Sequence, residues 1–252
     1  MKRIRALQAY GLLAVLLVLL PPFAGNLANA SPAKVRILVV TGGHAFETNA
    51  FFQVFKDNPD ITYQAVEHPN AFALFKAEPA RQYDVIVMYD FNQSLTDEAK
   101  ADFIARLKEG KGLVVLHHAI AAYPQWPEYW KIIGGRYYLE KTAVDGVEKK
   151  RSAYKHGMHF TIHVADPNDP VTRGVKDYEI HDETYKWFDV ADESHPLLTT
   201  DEPESNKVIA WAKIYEKARV FYMQSGHDHF AYENPSFQQV LRQAIQWVAK
   251  RD

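Results

Sequence analysis

Apolar, β-branched runs alternate with helical patterns through this chain, and no other feature narrows its folds as much. Residues 35–40 (VRILVV), 83–89 (YDVIVMY), 112–116 (GLVVL) and 219–223 (RVFYM) are apolar nearly throughout. A strand open to water on one face alternates polar with apolar; a run without that alternation is covered on both faces. Between these runs, residues 47–56 and 71–76 read as helices and 61–66 as a weaker strand. Thr96 is placed to cap a helix carrying Phe103, Ile104 and Leu107 on one face, and Gly110 to close it. Strand and helix in alternation predict an α/β fold, a mostly parallel sheet with helices on both faces.

Beyond Gly134-Gly135 the pattern changes. Residues 155–164, 178–185 and 207–215 alternate, turns fall at 170–174 and 201–205, and residues 235–250 read as an amphipathic helix. These pieces are expected to add strands to the same sheet, so residues 31–252 form one domain. Before it, Lys2, Arg3 and Arg5 precede an apolar stretch at 12–20, and Ala28-Asn29-Ala30 offers a small-x-small cleavage site. That is the layout of a signal peptide spanning residues 1–30, and it predicts an exported protein, periplasmic or secreted. Once cleaved, the chain is expected to keep no stable membrane association. A homo-oligomer is compatible with the sequence.

Composition removes several chemistries. There is no cysteine, so disulfides, thiolate metal sites and thiol nucleophiles are all excluded. A net charge of −2 without a basic stripe argues against nucleic acid as a partner. An aromatic content of 13% is high; much of it belongs to the core, and surplus rings suit a small carbohydrate partner, because sugar-binding clefts use rings as apolar platforms.

Ligands of open parallel sheets bind beyond the carboxyl ends of the strands. The runs end in TGGHAFE, YDFNQS, HHA and QSGHDH, and three of these four endings carry histidine. The fold would bring His44, His117 or His118, His227 and His229 to one rim. In IHDETY (180–185), an extended chain points His181 and Glu183 to the same face. Histidines with one carboxylate have the composition of a catalytic zinc or manganese site, which uses three protein ligands and leaves a position open. His156, His159 and His163 fit neither one strand face nor one helix face and read as surface or structural. The Gly42-Gly43 pair could cradle a phosphate or a sugar hydroxyl, or make a tight turn.

TGGHAFE, the helix start at Leu95-Thr96, KGLVVLHHA, YWKIIGG, DETY and KARVFYMQSGHD resemble, in that order, the ThuA-like (trehalose-utilisation) family. The resemblance covers nearly all of residues 31–252. It implies the flavodoxin-like fold of class I glutamine amidotransferases and a link to sugar catabolism. In those amidotransferases the strand equivalent to 112–116 leads into a tight turn bearing a nucleophilic cysteine. Here His117-His118-Ala119 stands there, so thioester chemistry on glutamine is excluded. The family pattern carries over to His44, His118, Glu183 and His227, with Asp182 and Asp228 orienting imidazoles. Alternation lets one member of the histidine pair face the site, and His118, nearer the elbow, is the one expected.

The expectations are therefore specific. His118, Glu183 and His227 hold zinc or manganese, with His181 and His229 as further candidates. Glu183, His118 and His44 act on the substrate, while Trp126, Tyr129, Tyr185 and Gly43 bind it. The function expected is a metal-assisted enzyme acting on a glycoside or keto-glycoside, by lyase, hydratase, isomerase or hydrolase chemistry. The alternatives are a non-catalytic sugar-binding protein and a glycosidase pairing Glu183 with Asp90 or Asp228.

Overall fold

The apolar runs become the centre of a sheet in the computed structural model, which describes residues 33–252; the signal peptide expected at 1–30 lies outside them. The first half runs β1 (Val35–Gly42), α1 (Thr48–Lys56), β2 (Ile61–Glu67), α2 (Ala71–Leu74), β3 (Val85–Asp90), α3 (Asp97–Glu109) and β4 (Gly112–Leu116). A 3-10 turn, His117–Ala121, leads to α4 (Pro127–Ile133), β5 (Gly135–Arg136) and the hairpin of β6 (Thr142–Val144) and β7 (Val147–Lys149). Then come β8 (Ala153–Val164), β9 (Tyr178–Lys186), β10 (Asp189–Val190), β11 (His195–Thr199), β12 (Val208–Tyr215) and β13 (Ala218–Met223). Helices α5 (His229–Tyr232) and α6 (Pro235–Val248) end the chain.

Nine strands pair in the order β2-β1-β3-β4-β13-β12-β11-β8-β9. The five from β2 to β13 are parallel, and β12, β11, β8 and β9 extend the sheet antiparallel. Successive side chains of a strand point to opposite faces, so β1 feeds two cores. Ile37 and Val39 pack with Phe51 and Phe55 of α1 and with Phe237 and Leu241 of α6. Leu38 and Val40 pack with Phe103 and Leu107 of α3 and Tyr129 and Ile132 of α4. Burying both faces is what made these runs apolar throughout.

The α3 boundaries follow the local chemistry expected of them. Thr96 Oγ1 accepts a hydrogen bond from the Ala99 amide at 3.1 Å, and Gly110 adopts φ +95°. Strand β11 and the small strands β5, β6, β7 and β10 have no counterpart in the sequence reading, being two to five residues long. No helix among the described residues is long and apolar enough to cross a membrane.

Candidate metal centre

The centre is built where β4 ends. His117, the first residue after it, has φ +51°. A side-chain-bearing residue in this left-handed region costs on the order of 1 kcal/mol and persists only where its surroundings impose it. The turn throws the His117 imidazole across the sheet edge towards β9 and β13. Its Nδ1–H donates to the Gln224 carbonyl at 2.7 Å; a carbonyl only accepts, so the proton belongs on Nδ1 and Nε2 faces inward. Glu183 Oε2 lies 3.1 Å from that Nε2, His227 Nδ1 lies 3.3 Å from it, and these two are 3.5 Å apart. The Tyr185 hydroxyl lies 2.8 Å from the same Nε2.

The spacing of these three atoms suits one ion. Ligands at about 2.0–2.1 Å around a tetrahedral zinc stand roughly 3.4 Å from each other. Two imidazole nitrogens and a carboxylate are a donor set for zinc or manganese. The orienting contacts are also in place, with the Gln224 carbonyl fixing the His117 tautomer. Buried Asp182 accepts from three backbone amides: Glu183 at 2.8 Å and His227 at 3.0 Å through Oδ1, and Gly226 at 2.9 Å through Oδ2. It thus ties the strand bearing Glu183 to the loop bearing His227.

Opposite Glu183, β8 carries a bulge. Lys155 pairs with Thr184 and Met158 with Asp182, so His156 and Gly157 together oppose one residue. Gly157 takes φ +65°, and the bulge re-aims the strand. His156 Nδ1 consequently lies 2.9 Å from Glu183 Oε1. Burial opposes ionisation of Glu183, but the imidazoles facing it, His117 first, hold its carboxyl below the usual range. Burial likewise opposes charging His117, yet the Glu183 hydrogen bond and charge raise its pKa. Burial and the nearby His117 lower that of His227.

Glu183 and His156 form one wall of a cleft of about 280 Å³, with Tyr185, Tyr137 and Tyr154 beside them. His118, His44 and Phe91 line it as well. The His44 ring stacks on that of His118, centroids 4.7 Å apart. His118 Nε2 lies 3.3 Å from the Tyr89 carbonyl, to which its N–H donates, and buried Nδ1 has no protein partner among the described residues. Burial, then the neighbouring imidazoles, pushes its pKa well below the ordinary value, so the ring is neutral.

The structure rearranges several expectations. His117, not His118, converges with Glu183 and His227, because the left-handed turn rather than strand alternation sets its direction. Trp126 and Tyr129 leave the substrate wall altogether: both pack in the core beneath α3, and the Tyr129 hydroxyl donates to the Ala119 carbonyl at 2.6 Å. Gly43 makes a tight turn; a Cβ there would stand 1.9 Å from the Phe91 carbonyl oxygen. His181 stacks on His159 at 4.1 Å, outside the cluster. His229 pairs with Glu47 at 2.9 Å, and Asp228 caps α5 through the Phe230 amide. Asp90 is bound to His68 at 2.8 Å, so it is not a second acid for Glu183. Of the residues expected to act or bind, His44, His118, Glu183 and Tyr185 share the cleft.

His156 is exposed, as its spacing suggested, yet it also lines the cleft beside Glu183, and the trace of that in the sequence is the glycine after it. One other trio among the described residues, Asp166, Asp169 and His195, brings ligand atoms together. Its carboxylates serve turn amides, of Asn168 at 3.0 Å and Val171 at 2.8 Å.

Comparison with known proteins places this geometry. A search of curated proteins finds no match. Among solved structures, a ThuA-like protein from Parabacteroides merdae aligns with TM-score 0.71 and 19% identity, covering 86% of this chain and 90% of that one. A ThuA-like protein from Bacteroides uniformis gives TM-score 0.64 and 19% identity over 89% and 95%. A glutamine amidotransferase from Thermotoga maritima shares the fold at TM-score 0.50 and 11% identity over 86% and 98%. The ThuA family, described as trehalose utilisation, matches residues 36–248. With that match spanning nearly all the described residues, the chain belongs to the ThuA family and has a carbohydrate-related role.

Proposed function

We propose that this chain is an exported, metal-assisted enzyme acting on a glycoside or keto-glycoside, with zinc or manganese held by His117 Nε2, His227 Nδ1 and Glu183. The observation that carries the reading is the separation of those three atoms, 3.1, 3.3 and 3.5 Å. Export rests on the signal-peptide layout of residues 1–30. A divalent ion held there would supply a Lewis acid for a carbonyl or hydroxyl oxygen of the sugar. The protein supplies the rest. Tyr137, Tyr154 and Tyr185 offer ring surface to the sugar. Neutral His118 lines the same cleft and is the candidate base, with the His44 ring stacked on it. A keto group acidifies the adjacent C–H, so such a base suits elimination, hydration or isomerisation.

The test is metal analysis of residues 31–252 beside His117→Ala, His227→Ala and His118→Ala variants. Near-stoichiometric zinc or manganese is expected in the wild type and in His118→Ala, and loss in the other two. No bound metal, with no stabilisation on adding divalent ions, would overturn the proposal and leave a non-catalytic sugar-binding protein as the reading.

A further inference from the structure

We infer that the cleft selects an acidic sugar, its carboxylate received by Arg151. The inference rests on the reading above for which cleft holds the sugar, and on separate residues for the charge. Three bases stand in a row at 149–151, from the last residue of β7 into the loop before β8. Lys149 is bound to Asp189 at 2.7 Å, and Lys150 lies over the Trp187 ring, 5.1 Å from its centroid. Glu148, the nearest acid in sequence, is taken by Lys141 at 2.9 Å. Arg151 alone of the three lines the cleft, beside Tyr137 and Tyr154, and it has no ion pair or side-chain hydrogen bond among the described residues. Its backbone is pinned one residue on, where Ser152 Oγ accepts from the Tyr138 amide and donates to the Trp187 carbonyl, both at 2.9 Å.

Charge points the same way. Arg151 is the one lysine or arginine among the residues lining the cleft, and Glu183 the one acid. Both Glu183 oxygens already face imidazoles, His117 and His156, so no acid within the cleft balances the guanidinium. A divalent ion against a single carboxylate would leave the cleft more positive still. The guanidinium fork matches a planar carboxylate with two parallel hydrogen bonds. With no second lysine or arginine beside it, the wall suits a singly charged carboxylate better than a phosphate. The ligand class is therefore a uronic or aldonic acid, free or as the acidic ring of a glycoside.

Calorimetric titration of D-glucuronate and D-glucose into metal-loaded and EDTA-treated protein tests this, alongside Arg151→Gln and Arg151→Lys. Glucuronate is expected to bind about tenfold or more tighter than glucose in both forms. Arg151→Gln should abolish that preference with glucose binding and metal content unchanged, and Arg151→Lys should restore part of it. Equal binding of the two sugars, or a preference that survives in Arg151→Gln, overturns the inference. A preference confined to the metal-loaded protein and indifferent to Arg151 also overturns it, because the carboxylate is then on the metal, and the metal reading stands. An Arg151-dependent preference in protein that binds no metal supports the inference while the metal reading fails.

Discussion

Replacing Asp182 by asparagine removes one oxygen and little else, which makes it a sharp test of how the centre is held. Wild-type Asp182 accepts three backbone N–H groups, two at Oδ1 and the Gly226 amide at Oδ2, 2.9 Å away. In Asp182→Asn the amide oxygen can keep the Glu183 and His227 donors, but the NH₂ then faces the Gly226 N–H, donor against donor. A buried amide left unpaired costs about 1–3 kcal/mol, and the two remaining bonds lose their charge assistance. One effect runs the other way. Burial pushes the Asp182 carboxyl above its ordinary pKa, so the folded state pays for ionising it at pH 7, and the neutral amide removes that cost. The unpaired amide and the two weakened bonds outweigh this relief, leaving a net loss of about 2 kcal/mol, or a Tm lower by about 4–8 °C for a domain of this size. Because the lost contact is on the His227 loop, metal affinity should fall by about 10–100-fold as well. Thermal unfolding in EDTA reads the first effect, and competition with a chromophoric zinc chelator reads the second. A variant that unfolds earlier yet binds zinc like the wild type would refute the claim that Asp182 positions a ligand. Unchanged stability would refute the hydrogen-bond reasoning itself.

Other outcomes follow from the same geometry. Zinc at about 100 times its Kd should stabilise the wild type by about 2.7 kcal/mol, raising Tm by about 5–11 °C in a scanning calorimeter, and should do nothing for His117→Ala. Without metal, the His117–Glu183 pair predicts a pH window. His117 is raised, so its contribution is complete below about pH 6.5 and is lost as pH climbs through the folded value; Glu183 is lowered, so its contribution is present above about pH 4.3 and is lost on acidification. Chemical unfolding of EDTA-treated protein should therefore show this pair's stabilisation between those limits, and His117→Gln should flatten both flanks. Tyr129→Phe should cost about 1 kcal/mol by removing one of the two hydrogen bonds to the Ala119 carbonyl, which keeps the Ala122 amide, and leave sugar affinity unchanged, whereas Tyr185→Phe, whose hydroxyl reaches His117 within the cleft, should weaken it. A loss of sugar affinity in Tyr129→Phe would contradict its place in the core.

The sequence by itself determined the class of fold and the edge on which the chemistry sits. Runs such as VRILVV and GLVVL have no polar face to offer water, so they had to lie between layers of helix, and their histidine-bearing endings had to collect at one rim. The missing cysteine excluded thiol chemistry on composition alone. Glu183 could also be read, from the extended IHDETY segment and the family pattern that includes it. Which imidazoles meet it was decided elsewhere. Alternation allowed one of the pair to face the site and nearness to the elbow favoured His118, but the φ of +51° at His117 turns that ring towards Glu183, while His118 lines the cleft beside His44. One inserted residue in β8 swings His156 into the cleft, which no fixed period could foresee. Trp126 and Tyr129 were aromatic enough for a sugar platform, yet α4 lays them into the core. Glu47 finds His229 only because folding closes a separation of 182 residues. Local periodicity encodes which residues are covered and along which edge; a turn angle, a bulge and long-range packing decide where each ring points, and those depend on contacts that no short stretch of sequence contains.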